Sequence, residues 1–375
     1  MKKQSIDVGA FIWPAYSGKE KRNHIFWPDG EGEWQTVRLA QPKFEGHTWP
    51  RKPLLGYQDE ADPKVMEQQI ELALSHGVNV FIYDWYWYDE RAFQEQCLND
   101  GFLGASNSKD MKFYLMWANH DANHLWDRRL SSSPDDAGTV IWKGAVDADT
   151  FREIGLRWIE KYFVLDNYYR IDGKPVLAIY ELPNFVNGVG GIDQAIELMN
   201  WLDAEAAARG LGGVHFQLIH RGDKRKVTNL SGVDGDGSIS NDELLEKMPF
   251  SSATHYQYCH FTNIDRAYPD IMVDVNAEWK RLNESISKLY CPHVSLGWDN
   301  NARYSTEFRP RMMRETTPEN IEQAFADAKE LALKNNAPLV TVNSWNEWTE
   351  GSYLLPDDLN GYAYLEAIKH VFIDE

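Results

Sequence analysis

Cysteine is scarce in this 375-residue chain: Cys97, Cys259 and Cys291 are scattered and odd in number. Such a set argues against a disulfide framework, and no CxxC pair of the structural-zinc kind occurs. Long apolar runs are missing as well. No stretch reaches the length of a membrane-spanning helix, and the opening MKKQSIDVGAF lacks the apolar core of a secretory signal. As it stands the chain reads as cytoplasmic, or as periplasmic or secreted had a signal peptide been removed ahead of it. Positive charge is in deficit, with 38 Lys and Arg against 57 Asp and Glu and a formal net charge of −19. That field repels polyanions, so nucleic acid and anionic membrane are poor partners, while a neutral solute is indifferent to it. There is no GxGxxG or Walker-type phosphate loop, no GxSxG elbow and no HExxH helix. No linker, low-complexity tract or composition break divides the chain, so 1–375 is expected to form one catalytic domain.

Aromatic residues, by contrast, are plentiful: 15 Trp, 18 Tyr and 16 Phe. Short β-branched or aromatic runs recur at 7–13, 79–85, 111–118, 175–181, 214–220, 252–258, 292–298 and 338–345. Several are nearly continuous in apolar residues, as parallel strands covered on both faces should be. Helical patterns fall between them. Asp62-Pro63 opens one carrying Met66, Ile70, Ala73 and Leu74 up to Gly77, and Thr317-Pro318 opens another carrying Ile321, Phe325 and Ala328. Ile154 and Trp158, Ile192 and Ile196, and Leu365 and Ile368 mark three more, with a further helix expected at 273–288. Strands alternating with helices predict an α/β fold, a single (β/α)8 TIM barrel with a long first βα loop. That loop, 14–61, carries Trp27, Trp34, His47 and Trp49 and is expected to act as a lid.

Barrel enzymes place their chemistry at the C-terminal strand ends. Seven of the 15 tryptophans fall there, among polar groups. The expected substrate-binding residues are Trp13 and Tyr16 after the first strand, with His47 from the long connection. The second strand end offers Asp84, Trp85, Tyr86 and Trp87, and the third Trp117, Asn119 and His120. Tyr180 and Glu181, His255 and Tyr256, and Trp298 and Asp299 follow on later strands, and Asn343, Trp345, Asn346 and Trp348 on the last. One aromatic taken alone is better read as core packing. Crowded on one rim beside charged groups, they read as a cleft for an uncharged, hydroxyl-rich ligand, because buried indoles and phenols need polar partners.

The segment NSWNEWTEG, 343–351, sets Glu347 and Glu350 among tryptophans and asparagines at the end of the last strand. Two random acids at this spacing would be a solvated loop acid and a helix cap. Here they are expected to be the catalytic pair. Glycosidic cleavage commonly uses two carboxyl groups in different environments, one keeping its proton while the other does not. An extended 343–347 would put Asn343, Trp345 and Glu347 on one face, and a turn at 348–351 would bring Glu350 round to Glu347. Spacing alone leaves retaining and inverting geometries both open.

This segment resembles the NEW-x-EG signature of glycoside hydrolase family 99 and the related WbsX-like glycan-processing proteins. PLLGYQDEADPKVMEQQIELALSHGVNVFIYDWYWYDE (53–90), FYLMWANHD and GSYLLPDDLNGYAYLEAI are similar to the same group. The resemblance implies a (β/α)8 glycoside hydrolase cleaving α-linked glycans with retention, acting within α-mannoside-like chains. It implies Glu347 as the base for the sugar's own 2-hydroxyl, Glu350 as acid/base, and a 1,2-anhydro sugar between the two steps. WbsX-like relatives also carry a glycosyltransferase description, so transfer in surface-polysaccharide (O-antigen or lipopolysaccharide) synthesis is the alternative. A non-catalytic glycan-binding barrel is a third reading, against which the intact glutamate pair argues.

Two weaker patterns remain. GVDGDGSISNDE, 232–243, matches a calcium loop at Asp234, Asp236, Ser238, Ser240 and Glu243, but Gly232 stands where the first aspartate belongs. His120 and His124 flank Asp121 without the third protein ligand that zinc normally takes. No metal or cofactor is therefore expected, the 232–243 loop being the one calcium candidate.

Overall fold

The computed structural model describes residues 6–49, 51–131, 138–222, 239–306 and 311–373. Its barrel strands are β1 (Asp7–Ile12), β2 (Val80–Tyr88), β3 (Lys112–Trp117), β4 (Lys174–Ile179), β5 (His215–Ile219), β6 (Ser252–Thr254), β7 (Leu289–Tyr290 with His293–Ser295) and β8 (Leu339–Asn343). All neighbouring pairs are parallel, and β8 returns to β1 through the register Asp7 opposite Leu339. β7 is one crossing written as two short ladders. Pro292 has no amide hydrogen to donate, so pairing with β6 ends at Cys291 and pairing with β8 begins as Thr341 donates to the Pro292 carbonyl at 2.9 Å. The ring closes there, giving the α/β TIM-barrel-like fold that the strand count predicts.

Helices α1 (Trp34–Leu39), α2 (Pro63–Ser75), α3 (Ala148–Trp158), α4 (Leu182–Val189), α5 (Ile192–Ala208), α6 (Asn241–Lys247), α7 (Tyr268–Ser285), α8 (Pro318–Asn335) and α9 (Ala363–Phe372) connect the strands. The capping chemistry is as the sequence reads: Asp62 accepts from the Lys64 amide and Thr317 from the Asn320 amide. α7 begins earlier than the expected 273, because Pro269 sits in its first turn. α6 opens on a capping box, Ser240 and Glu243 each accepting the other's backbone amide. That is the local work of two positions in the calcium candidate, whose Asp234, Asp236 and Ser238 lie outside the described residues. Among the described residues no helix is long and apolar enough to cross a membrane.

The long first connection differs from the lid expected of it. It folds into a 3-10 turn and α1, and Trp27, Trp34 and Trp49 are buried. Trp27 Nε1 donates to Thr36 Oγ1 and Trp34 Nε1 to the Gln58 carbonyl. It is a packed wall on the C-terminal side of the barrel, with its tryptophans facing the core.

The last strand is also shorter than expected. β8 stops at Asn343, and a two-residue hairpin pairs Asn346 with Tyr353 and Glu347 with Ser352. Ser344 Oγ accepts the Glu347 amide at 2.8 Å and donates to the Ser352 carbonyl at 2.7 Å. Trp345 turns out of the barrel, where it packs on Phe81 and its Nε1 donates to Gln69 of α2 at 2.7 Å. Trp345→Ala is expected to lower unfolding free energy by about 3–5 kcal/mol in chemical denaturation; a loss below about 1 kcal/mol would show that this indole does not fasten the hairpin to α2.

Candidate active site

Glu347 sits at the hairpin's start and is only 4% exposed. Its Oε2 accepts from Asn343 Nδ2 at 3.0 Å and contacts the Tyr256 hydroxyl at 3.1 Å. The same hydroxyl stands 3.1 Å from Oδ2 of Asp84, another buried acid. A phenol has one proton. For both contacts to be hydrogen bonds, one of the two carboxyls must itself be protonated.

A 3-10 turn, Trp348–Glu350, brings Glu350 back beside Glu347, and Gly351 takes the left-handed conformation (φ 63°) that ends it. The fit is tight: Asp299 N donates to the Glu350 carbonyl at 2.6 Å, and a Cβ on Gly297 would meet the Gly351 oxygen at 2.5 Å. Arg303, buried in the turn after β7, donates to Glu350 Oε1 at 2.5 Å, to Thr349 Oγ1 at 3.0 Å and to Glu33 Oε1 at 3.3 Å. Glu33 is fully buried in the first connection and also accepts from Trp13 Nε1.

Glu33 and Glu350 thus pair with a single guanidinium, Glu347 lies in its field, and Asp84 stands beyond the Tyr256 hydroxyl. Burial pushes the Glu347 carboxyl well above the ordinary range; Glu350 and Asp84 add to the shift, against Arg303 and Asn343. Burial raises Glu350 too, with Arg303 opposing and Glu33 adding. Asp84 is pushed up by burial first and by Glu350. Burial works against the Arg303 charge, but Glu33, Glu350 and Glu347 outweigh it and hold the guanidinium protonated. Burial and the mutual repulsion of like-charged carboxyls this close both favour their protonated forms.

Asp84, Arg303, Glu347 and Glu350 open into a cavity of about 440 Å3 walled by Trp13, Tyr86, Trp126, Tyr180, Tyr256 and Trp298, with Asp121, Asn123, Glu181, Asn184, Arg221 and His260 among its polar lining. His120 lines it as a neutral imidazole, burial lowering its pKa to about 4. Its Nδ1 donates to the Asp121 carbonyl at 3.0 Å, which leaves Nε2 as an acceptor.

The family model described as Glycosyltransferase WbsX matches residues 8–368. The chain belongs to that family. A protein of Xanthomonas campestris pv. campestris, the uncharacterized WxcX, is 28% identical over 364 residues in two strains, covering 92% of this chain and 47% of the relative. The chain thus spans about half the length of those relatives. Among solved structures, the GH99 endo-α-mannosidase of Bacteroides thetaiotaomicron superposes with a TM-score of 0.59 at 16% identity, covering 98% of this chain and 96% of that one. A glycoside hydrolase-like protein does so at 0.61 and 15%, covering 99% and 95%. At such identities the likeness is one of fold.

In this WbsX-family site, Trp13, Asp84, Tyr86, His120, Tyr180, Glu181, Tyr256, Trp298, Glu347 and Glu350 line the cavity. Six other expected residues brace it. Asn343 holds Glu347. Asn119 exchanges hydrogen bonds with the Glu181 backbone, and Asn346 does so with the Trp13 backbone. The Tyr16 hydroxyl accepts the Trp348 amide, and His47 donates to Asp299 at 2.7 Å.

The remaining expectations are corrected. Trp85, Trp87, Trp117, Trp345, Trp348 and His255 do not line the cavity. Strand residues alternate faces, so Asp84 and Tyr86 point inward while Trp85 and Trp87 stack outside the barrel, Trp85 donating to Glu95. Trp117, in register with Trp85, packs on Phe151 and Phe185 of the helix layer. His255 lies between inward-facing Thr254 and Tyr256 and turns to Tyr290. Trp348 stacks on Tyr353 at 3.9 Å. Sequence reasoning missed Trp126, Arg221, Glu33 and Arg303, which sit in connections where periodicity says nothing. A basic residue in the NNAR stretch after β7 was the one available signal.

Behind the hairpin, Glu60 Oε2 accepts from Asn346 Nδ2 at 2.7 Å, and burial raises its pKa to about 8. The native state therefore keeps a proton that the unfolded chain releases near 4.5. Stability from this group is whole below about pH 4.5 and falls as pH rises to about 8. Glu60→Gln should gain on wild type progressively across that interval in urea titrations at a series of pH values. A difference that is flat with pH would place the carboxyl in the ordinary range.

Proposed function

We propose that the protein is a glycoside hydrolase that cleaves α-linked glycans with retention, using Glu347 and Glu350 as its working pair. The observation that carries this reading is the joint burial of those two glutamates at one aromatic-walled cavity, around one guanidinium. Two interacting carboxyls titrate as a couple, and between its two steps the couple holds one proton. That is the state required by a reaction that uses one carboxylate and one carboxylic acid.

In the roles the family resemblance implies, Glu347 takes the proton of the sugar's 2-hydroxyl as that oxygen closes on the anomeric carbon. Glu350 gives its proton to the departing glycosidic oxygen. Water, deprotonated by Glu350, then opens the anhydro sugar, and Glu347 returns a proton to the 2-oxygen. Burial makes ionised Glu347 a strong base, and because Arg303 favours the ionised form of Glu350, these roles require the couple's proton to pass to Glu350 before the first step. Asn343 and Tyr256 fix the direction of Glu347. Trp13, Trp126, Tyr180 and Trp298 offer faces for the C–H side of sugar rings, with His120, Asn123 and Asn184 placed for hydroxyls. The cavity volume falls in the range of small-molecule sites, roughly 300–1,000 Å3.

The family's description favours one second reading: transfer of the same glycosyl unit to an acceptor other than water, by the same couple. Products decide between them. A screen of α-linked oligosaccharides read by mass spectrometry should show cleavage without an added glycosyl donor; consumption of an activated sugar alone would establish transfer. On a cleaved substrate, Glu347→Gln and Glu350→Gln should each lose about 10²–10⁴-fold in kcat with the fold intact. Near wild-type turnover in either would remove that residue from the pair. The pH profile of kcat/KM should be bell-shaped, and its acid limb should lie above the ordinary carboxylate range because burial raises both groups. An acid limb at about pH 4 would contradict the buried couple.

A further inference from the structure

On the outer side of the barrel, away from the cavity, β5 and β6 end in two buried histidines. His220 follows β5, His255 follows β6, and Glu278 reaches them from α7. One ligand atom from each lies within 4.8 Å of the others. We infer that His220, His255 and Glu278 form a binding site for a divalent transition-metal ion such as Zn2+, clamping the ends of two barrel strands to α7.

Three observations carry the inference. First, His255 is fully buried, and its Nδ1 is engaged with the Tyr290 hydroxyl at 2.7 Å. Its Nε2 has no hydrogen-bond partner among the described residues and stands 3.9 Å from Glu278 Oε1. A buried, unpaired ring nitrogen is costly unless something binds it.

Second, the surroundings already steer the ligands. His220 Nε2 donates to Asp242 Oδ1 at 2.7 Å, and its Nδ1 accepts the Gly222 amide at 3.2 Å. A carboxylate paired with a histidine is the usual outer support of a metal ligand, and an ion would take over one of these two contacts. Arg281 holds Glu278 through Nε and Nη2, each at 2.8 Å, and also pairs with Asp242. The two carboxylates are thereby fixed and partly neutralised.

Third, the donor set is two imidazoles and one carboxylate, which is a zinc-type set with room for a fourth, solvent ligand. Glu278 and Asp242 keep part of their side chains exposed (13% and 20%), so the site is reachable from outside. The cluster escaped sequence reading because its members come from three separate elements without the short spacing of a motif.

The test uses the full chain, treated with chelator and then titrated with Zn2+ or Co2+ alone. Calorimetry should show one equivalent bound, Co2+ should give the intense visible absorption of a tetrahedral N/O site, and Zn2+ should raise the thermal midpoint. All three should be lost in His255→Gln and in Glu278→Gln, and kept in His370→Gln. Asp242→Asn should weaken binding by about 10–100-fold. Glu278 is partly exposed, so its variant keeps the test decisive if His255→Gln does not fold. Absence of stoichiometric uptake by the wild-type chain, or equal uptake by wild type and Glu278→Gln, would overturn the inference. Glycan cleavage is not part of the readout, so the outcome is independent of the proposed activity.

Discussion

One buried guanidinium, that of Arg303, holds together the parts from which the site is made. It comes from the turn after β7, reaches Glu33 in the first connection, and reaches Thr349 and Glu350 in the segment after β8. Each of these segments is irregular backbone, which barrel packing alone does not position. A buried cation left without its acids, or the acids without it, would be strongly unfavourable. The ion-pair network therefore specifies how three connections meet at the barrel mouth.

That network is deliberately unbalanced in charge. Glu33 and Glu350 pair with Arg303 and Glu347 lies in its field, while the Tyr256 hydroxyl stands between Glu347 and Asp84 and burial raises the carboxyls toward their neutral forms. The fold makes this tolerable through neutral hydrogen-bonding neighbours such as Asn343 and through tight serine-locked turns. The same feature that taxes stability pushes both acids of the pair upward from the ordinary carboxylate range, the direction that acid–base chemistry near neutral pH requires.

The barrel was largely legible in the sequence, because near-continuous apolar strands and Pro-opened helices are local signals. The eight strands fall where their runs lie, and even the interrupted β7 contains its own explanation in Pro292. The hairpin after β8 was partly legible: its glycine announced the turn that returns Glu350. Its direction was not, since Ser344 bends the chain and sends Trp345 away from the face it would share with Asn343 in an extended strand. The aromatic rim was over-read. Tryptophans at strand ends alternate faces, and those at 85, 87 and 117 build the layer between barrel and helices. Trp126, Glu33 and Arg303 depend on long-range meetings of connections, for which no period exists.

The central claim is that the couple of Glu347 and Glu350, buried in the cavity wall, keeps one proton at neutral pH. Infrared difference spectroscopy of wild type against Glu347→Gln and Glu350→Gln reads this directly through the carboxylic C=O stretch. The account predicts a protonated-carboxyl band at neutral pH in wild type that is lost or shifted in both variants and disappears as the pH is raised. A spectrum showing only ionised carboxylates at neutral pH, unchanged by either substitution, would contradict it.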